Sequence, residues 1–330
     1  MKVLLCLTCL HFLVDGVCGA VLGRYAYAEP QLEPIVRCFL IYTLLAFGLQ
    51  GPVGWLLDKM PHRLQQILLG GTLLLELGTL PQLPVYVQVL GIGFGNCLFH
   101  VTGGKYVLQR YATYKELGCF VASGALGIAW GLHSAWVWQF AVAALLVTIF
   151  TYAAMTKAVP SPVPQECVLA WERTDASKLV FCAVLLLGCV ILRGFGSGSD
   201  ISSYALMTLP CIFALGKLCG GLVCDKIGYR RTVLLVLALG FLGIQLQSTD
   251  LGVLFVFACN MTMPLTLRLA HFCLPAYPGL MFGLAATCLV PGALSQGMLS
   301  VSPQLILALQ FISLTLAGFI LLGAGFRRGA

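Results

Sequence analysis

Gly221-Leu-Val-Cys-Asp225-Lys226-Ile-Gly228-Tyr-Arg230-Arg231 and, 167 residues earlier, Gly54-Trp-Leu-Leu-Asp58-Lys59-Met-Pro61-His-Arg63 share the pattern Gly-x-x-x-Asp-Lys-x-x-x-Arg. Each copy follows one long apolar run and precedes another. The separation is about half of the 330 residues. The chain therefore reads as two copies of one unit, the internal duplication typical of membrane bundles.

The surrounding composition fixes the solvent. Apolar residues make up 59% of the chain and charged residues 9%, with a mean hydropathy of +0.95. A soluble domain carries roughly 25% charged residues, so no water-facing surface can be built here and the chain belongs in a bilayer. A spanning helix needs about 20 mostly apolar residues. The apolar runs predict twelve, over 3–25, 36–57, 64–80, 84–104, 116–133, 135–155, 179–199, 202–224, 232–248, 251–270, 277–297 and 303–324. A membrane barrel would show alternating ten-residue segments, and these runs are continuous. The fold class is an all-α membrane protein of twelve transmembrane helices in two parallel six-helix repeats.

Fifteen cysteines are present, most inside apolar runs, where cysteine acts as a small soft core residue. Cys6-x-x-Cys9 lacks a second pair at zinc-ligand spacing, so no metal site is expected. Met1-Lys2 with the apolar stretch behind it resembles a signal peptide. Asp15 interrupts that stretch, and an uncleaved first helix is the expectation.

Charge gives orientation. With both termini in the cytoplasm, fifteen of the nineteen basic residues fall on that side, among them Lys105, Arg110, Lys157, Arg268, Arg327 and Arg328. The outer loops hold Glu29, Glu33, Asp200 and Asp250. This is the positive-inside pattern, and the net charge of +7 needs no nucleic-acid partner. A multi-pass plasma (cell inner) membrane protein is expected. The Pro-rich, charged stretch 157–178 reads as a cytoplasmic linker between an N-terminal bundle (1–156) and a C-terminal bundle (179–330).

Gly221 to Arg231 resembles the signature loop of the major facilitator superfamily, with the copy at Gly54, Asp58, Lys59 and Arg63 a degenerate version. The resemblance implies that Gly54, Asp58, Lys59, Arg63, Gly221, Asp225, Lys226, Gly228, Arg230 and Arg231 latch the two halves as they alternate. It further implies a substrate site near mid-membrane, lined by helices 1, 4, 7 and 10. His11-x-x-x-Asp15 and the run from Gly93 through Asn96, Phe99 and His100 to Gly104 resemble the fosmidomycin-resistance-type branch, whose members are similar to proton-driven exporters. Val101 stands where that branch has proline.

Ionisable groups inside a bilayer are costly and usually mark ion or substrate pathways. Asp15 lies mid-helix with His11 one turn away on the same face. Burial disfavours the charged form of both, so the pair suits proton coupling; it equally suits a static polar tie to a neighbouring helix. His100 and Glu76 are further proton-coupling candidates. His100 also suits an interhelical hydrogen bond. Arg24 and Arg193 lie near equivalent places in the repeats, where two guanidiniums can clamp an anionic substrate; the alternative is snorkelling to headgroups. Asn96 and Asn260 complete the substrate-binding candidates. Lys217 reads as snorkelling, and Arg268 and His271 as anchors.

Neither Gly91-x-Gly93-x-Gly95 nor Gly194-x-Gly196-x-Gly198 has dinucleotide-binding spacing. No Walker motif and no nucleophile–base set is present. The expectation is a monomeric, proton-coupled secondary transporter, a symporter or antiporter and not an enzyme, without cofactors, whose partners are a small-molecule substrate, protons and the lipid bilayer. The alternatives are a non-transporting receptor or assembly protein, or a lipid flippase on the same fold.

Overall fold

The computed structural model describes residues 2–156, 171–196, 207–246, 252–295 and 298–325. Among them are twelve long helices and no strand. These are α1 (Lys2–Ala28), α2 (Leu32–Asp58), α3 (Leu64–Leu77), α4 (Val85–Arg110), α5 (Tyr114–Leu132) and α6 (Val137–Thr156). The second six are α7 (Ala176–Gly196), α8 (Thr208–Ile227), α9 (Tyr229–Gln245), α10 (Val253–Cys273), α11 (Pro278–Ser295) and α12 (Pro303–Gly323). Nine are individually long and apolar enough to cross a membrane. The rest fall short in different ways: α3 and α9 have 14 and 17 residues, and α5 opens on Tyr114-Lys115-Glu116. In lipid every backbone group needs an internal partner, which is why a chain this apolar resolves into helices.

The packing repeats. In the first six helices α1 lies against α4, α5 and α6, and α3 against α4 and α6. In the second six α7 lies against α10, α11 and α12, and α9 against α10 and α12. The halves meet chiefly through α5 on α8 and α2 on α11, two contacts that exchange under the repeat. The duplicated glycines make these approaches possible. A Cβ at Gly54 would strike the Gly279 carbonyl, and one at Gly221 would strike the backbone of Tyr114 and Lys115. Small residues at such crossings let helix backbones touch.

Several boundaries differ from expectation. The fourth helix runs to Arg110 instead of ending near 104, so Lys105 is buried inside a helix and is not a loop residue. The apolar run fades at Gly103-Gly104, but Val107 and Leu108 keep the inward face going. The ninth helix begins at Tyr229, which puts Arg230 and Arg231 in its first turn. Between α8 and α9 only Gly228 intervenes, at φ +86, a left-handed conformation that glycine alone adopts cheaply. The first copy has Pro61 there and turns instead through a 3-10 segment, Pro61–Arg63. The second helix passes through a π-helical turn, Leu44–Gly48. Helix α7 starts at Ala176, inside the expected linker. Residues 157–170, with Lys157, lie outside the described residues, as do Asp200, Asp250, Arg327 and Arg328.

Candidate functional site: a mid-depth acid–imidazole cluster and a two-sided latch

The centre of α1 carries His11 and Asp15, and the centre of α4 carries Asn96 and His100. All four are buried, between 0% and 6% exposed. They meet. Asn96 Nδ2 donates to Asp15 Oδ1 at 2.7 Å. His11 Nε2 stands 3.4 Å from Asp15 Oδ2, and His100 Nε2 stands 3.7 Å from Asp15 Oδ1. Each imidazole is held from behind: His11 Nδ1 donates to the Phe120 carbonyl at 2.6 Å, and His100 Nδ1 to the Asn96 carbonyl at 3.0 Å. The two rings contact each other edge to face at 4.4 Å, and Phe99 and Phe120 flank His11. Gly124 of α5 closes the wall, since a Cβ there would collide with Asp15 Oδ2 and His11 Nε2. A buried carboxylate is expensive unless paired and hydrogen-bonded. Here one bond is made by an amide, and two imidazoles face the remaining lone pairs.

The second half carries cations of its own. Arg193 of α7 is buried, and its Nη1 donates to the hydroxyls of Thr262 and Thr266 of α10, both at 3.4 Å. Lys217 sits at the middle of α8, within electrostatic reach of Arg193 and of Asp15. Its central position in an apolar helix is the signal that marks it; the reading as a snorkelling side chain missed it. Asn260, also buried, donates to the Val256 carbonyl of its own helix at 2.9 Å. Arg24 and Arg193 make separate contacts: the Arg24 guanidinium donates to Gln88 Oε1 at 2.6 Å, close to the ends of α1 and α4. Glu76, near the end of α3, takes no part in the Asp15 cluster.

At the end of the bundle bearing the motifs, the two aspartates cap helices of the opposite half. Asp58 accepts from the N–H groups of Gly279 and Leu280 at 2.9 and 2.8 Å, in the first turn of α11. Asp225 accepts from Tyr114 and Lys115 N–H at 3.1 and 2.9 Å, in the first turn of α5. First-turn N–H groups lack intrahelical partners, and the helix dipole favours a carboxylate there. Asp58 also pairs with Lys105 at 3.0 Å, both side chains almost wholly buried, while the lysine donates to the Leu57 carbonyl at 2.8 Å. Arg268 of α10 reaches across to the last turn of α4 and beyond, donating to the carbonyls of Leu108, Tyr111 and Thr113. It was expected to be an anchor; its burial and its three carbonyls make it a bridge between halves. The basic residues of the motif behave differently. Lys59 lies 3.4 Å over the Trp55 ring, and Lys59, Arg63, Lys226, Arg230 and Arg231 are exposed.

No family model matches the sequence, and no curated protein matches it. Solved structures do. The E. coli fucose:proton symporter aligns at 11% identity over 98% of each chain, with a TM-score of 0.57. A second structure of that protein, described as a major facilitator superfamily transporter in the outward conformation, gives a TM-score of 0.58 at 11% identity over 98% of each chain. A bacterial homologue of the iron transporter ferroportin, outward-facing, gives 0.58 at 11% identity over 99% of this chain and 100% of that one. This chain has the major facilitator fold, and it is a multi-pass membrane protein.

Proposed function

We propose that the chain is a secondary active transporter that moves a small molecule by rocker-switch alternating access, coupled to protons through Asp15. The observation that carries this reading is the buried acid–imidazole cluster at the mid-depth of α1 and α4. A scaffold or receptor gains nothing from ionisable groups at that depth, whereas a transporter needs a charge-changing group it can expose to either side. The two stretches that resemble the fosmidomycin-resistance-type branch are the ones that meet there. The fucose symporter, proton-coupled by its name, uses the same fold.

The latch supports the same reading. Asp58, Asp225 and Arg268 each bind backbone groups of the opposite half, so this end of the bundle is closed. With that end cytoplasmic, as the basic bias requires, the state is outward-facing, like that of the matched structures. The rocking units are the first six helices, to Thr156, and the second six, from Ala176, joined by a cytoplasmic linker between them, in a monomer of the plasma membrane. An anionic substrate would be held by Arg24 and Arg193, which bond Gln88 and the Thr262 and Thr266 hydroxyls respectively.

The test is uptake into proteoliposomes from a metabolite panel, with and without a pH gradient. Asp15→Asn is expected to reduce gradient-driven uptake to background while the protein stays folded and monodisperse. Undiminished proton-driven uptake by that variant removes Asp15 from the coupling step.

A further inference from the structure

Three lone-pair donors converge in the α1–α4 cluster, and the geometry fixes which atoms they are. A carbonyl oxygen only accepts, so the bonds to Phe120 and Asn96 place a proton on Nδ1 of His11 and of His100. In the neutral tautomer, each Nε2 then points a lone pair at the Asp15 carboxylate, itself an acceptor. The separations, 3.4 and 3.7 Å, are longer than good hydrogen bonds. Lone pairs aimed at one another from buried positions call for a positive charge between them, which a proton or a metal ion can supply.

We propose that His11 Nε2, His100 Nε2 and the Asp15 carboxylate form a binding site for a divalent transition-metal ion, which enters in place of the proton as the transported cation. This rests on the transporter reading above for its role, though not for the site itself. The three donor atoms lie within 4.8 Å of one another. Tetrahedral donors about 2.0–2.2 Å from an ion stand roughly 3.4 Å apart; His11 Nε2 is 3.4 Å from Oδ2 and His100 Nε2 3.7 Å from Oδ1, so a small carboxylate rotation or a chelating carboxylate brings all three residues onto one ion. The surroundings have the outer-shell form of metal sites, where the far imidazole N–H donates to a carbonyl and the carboxylate accepts a second bond. Asn96 Nδ2 supplies that bond, and its Oδ1 is buried and accepts none. Two imidazoles and one carboxylate select zinc, iron, cobalt, nickel or manganese over calcium or magnesium. Three protein donors leave one tetrahedral position of the ion for a water or another ligand.

Cysteine placement sharpens the test, because the described cysteines are free thiols and offer rival sites. Detergent-purified wild-type protein is titrated with Zn2+ and with Co2+, and X-ray absorption is recorded on the Zn2+-loaded protein. One ion per chain is expected, in a nitrogen–oxygen shell with two imidazoles. Asp15→Asn and His100→Asn are each expected to weaken binding about a hundredfold, and Asn96→Ala, which only orients the carboxylate, about tenfold. A sulfur shell, no binding by the wild type, or undiminished binding in both Asp15→Asn and His100→Asn overturns the metal site. The wild-type spectrum separates a sulfur shell from a nitrogen–oxygen one even where a variant fails to fold. The two readings fail separately. Proton-driven uptake without metal binding leaves the transporter and removes the ion. Stoichiometric binding without uptake of any solute leaves the ion site and removes the transporter.

Discussion

Asp58 and Asp225 sit at matching points of the two repeats and do the same thing, each capping a first helical turn of the opposite half. The mid-depth residues do not match at all. At the same 167-residue offset Asp15 falls on Cys182 and His100 on Leu267, both apolar core positions. In the other direction Lys217 falls on Gln50, a buried amide that bonds its own helix. The halves are thus alike where they pack against one another and unlike where they hold charge. Duplication supplies paired helix caps between the halves. A binding site gains its polarity, acid and imidazole on one side and cations on the other, only when the copies diverge.

Breaking the unlike region is expected to have the largest effect. Asp15→Asn removes gradient-driven uptake outright. Next is Gly124→Val, which replaces no ionisable group. Its side chain would enter the space held by Asp15 Oδ2 and His11 Nε2. A displacement on the order of 1 Å within a functional cluster costs about a hundredfold in rate, so uptake falls by that factor in proteoliposomes. Wild-type uptake by Gly124→Val would mean the cluster lies off the transport path.

Much of the like region was legible in the sequence, and for a physical reason. A close helix crossing demands glycine, and a helix-capping carboxylate demands aspartate at a fixed distance from it, so Gly54 with Asp58 and Gly221 with Asp225 leave a spacing that repeats. The partner of each aspartate was not legible, because it is a pair of first-turn N–H groups of α11 or α5, and a backbone N–H has no letter. In the unlike region, His11 and Asp15 declare themselves by being four apart on one helix. Their meeting with Asn96 and His100 joins residues 81 and more apart in sequence, and only packing creates it. The same holds for a metal-binding donor set: a search among cysteine spacings passes over two histidines on different helices. Lys105 was hidden for another reason, since a lysine after two glycines looks like the start of a loop until its partner Asp58 is seen.

The like region gives a graded series. Asp58→Asn leaves Lys105 buried without its carboxylate. Breaking one side of a buried pair costs about 3 kcal/mol or more, and that cost falls on the closed state. The population should shift toward opening at the motif end, read as longer distances between spin labels on α2 and α11 and as a lower melting temperature. Asp225→Asn is milder. Asp225 caps the first turn of α5, and a carboxylate on a helix N-terminus contributes about 1 kcal/mol. The same labels placed on α5 and α8 should show a smaller shift. Equal shifts for the two variants would mean that Lys105 adds nothing to the first latch.

The smallest effect is expected from the most recognisable residues. Arg63, Arg230 and Arg231 point outward and are exposed, and exposed charges contribute within about 0.5 kcal/mol to stability. Lys59 adds a contact to the Trp55 face, about 0.5–1 kcal/mol at such a site. Replacing the three arginines together with Gln should leave the label distances at both latches unchanged. What it should change is insertion, because basic residues in short loops set topology while leaving the folded contacts alone. Tags on the termini that become accessible from the opposite face in part of the population would show this. A motif read as one latch then separates into two functions: its glycine and aspartate hold the closed state, and its arginines decide which way up the bundle is built. A large shift in label distances with normal topology would return the arginines to the latch.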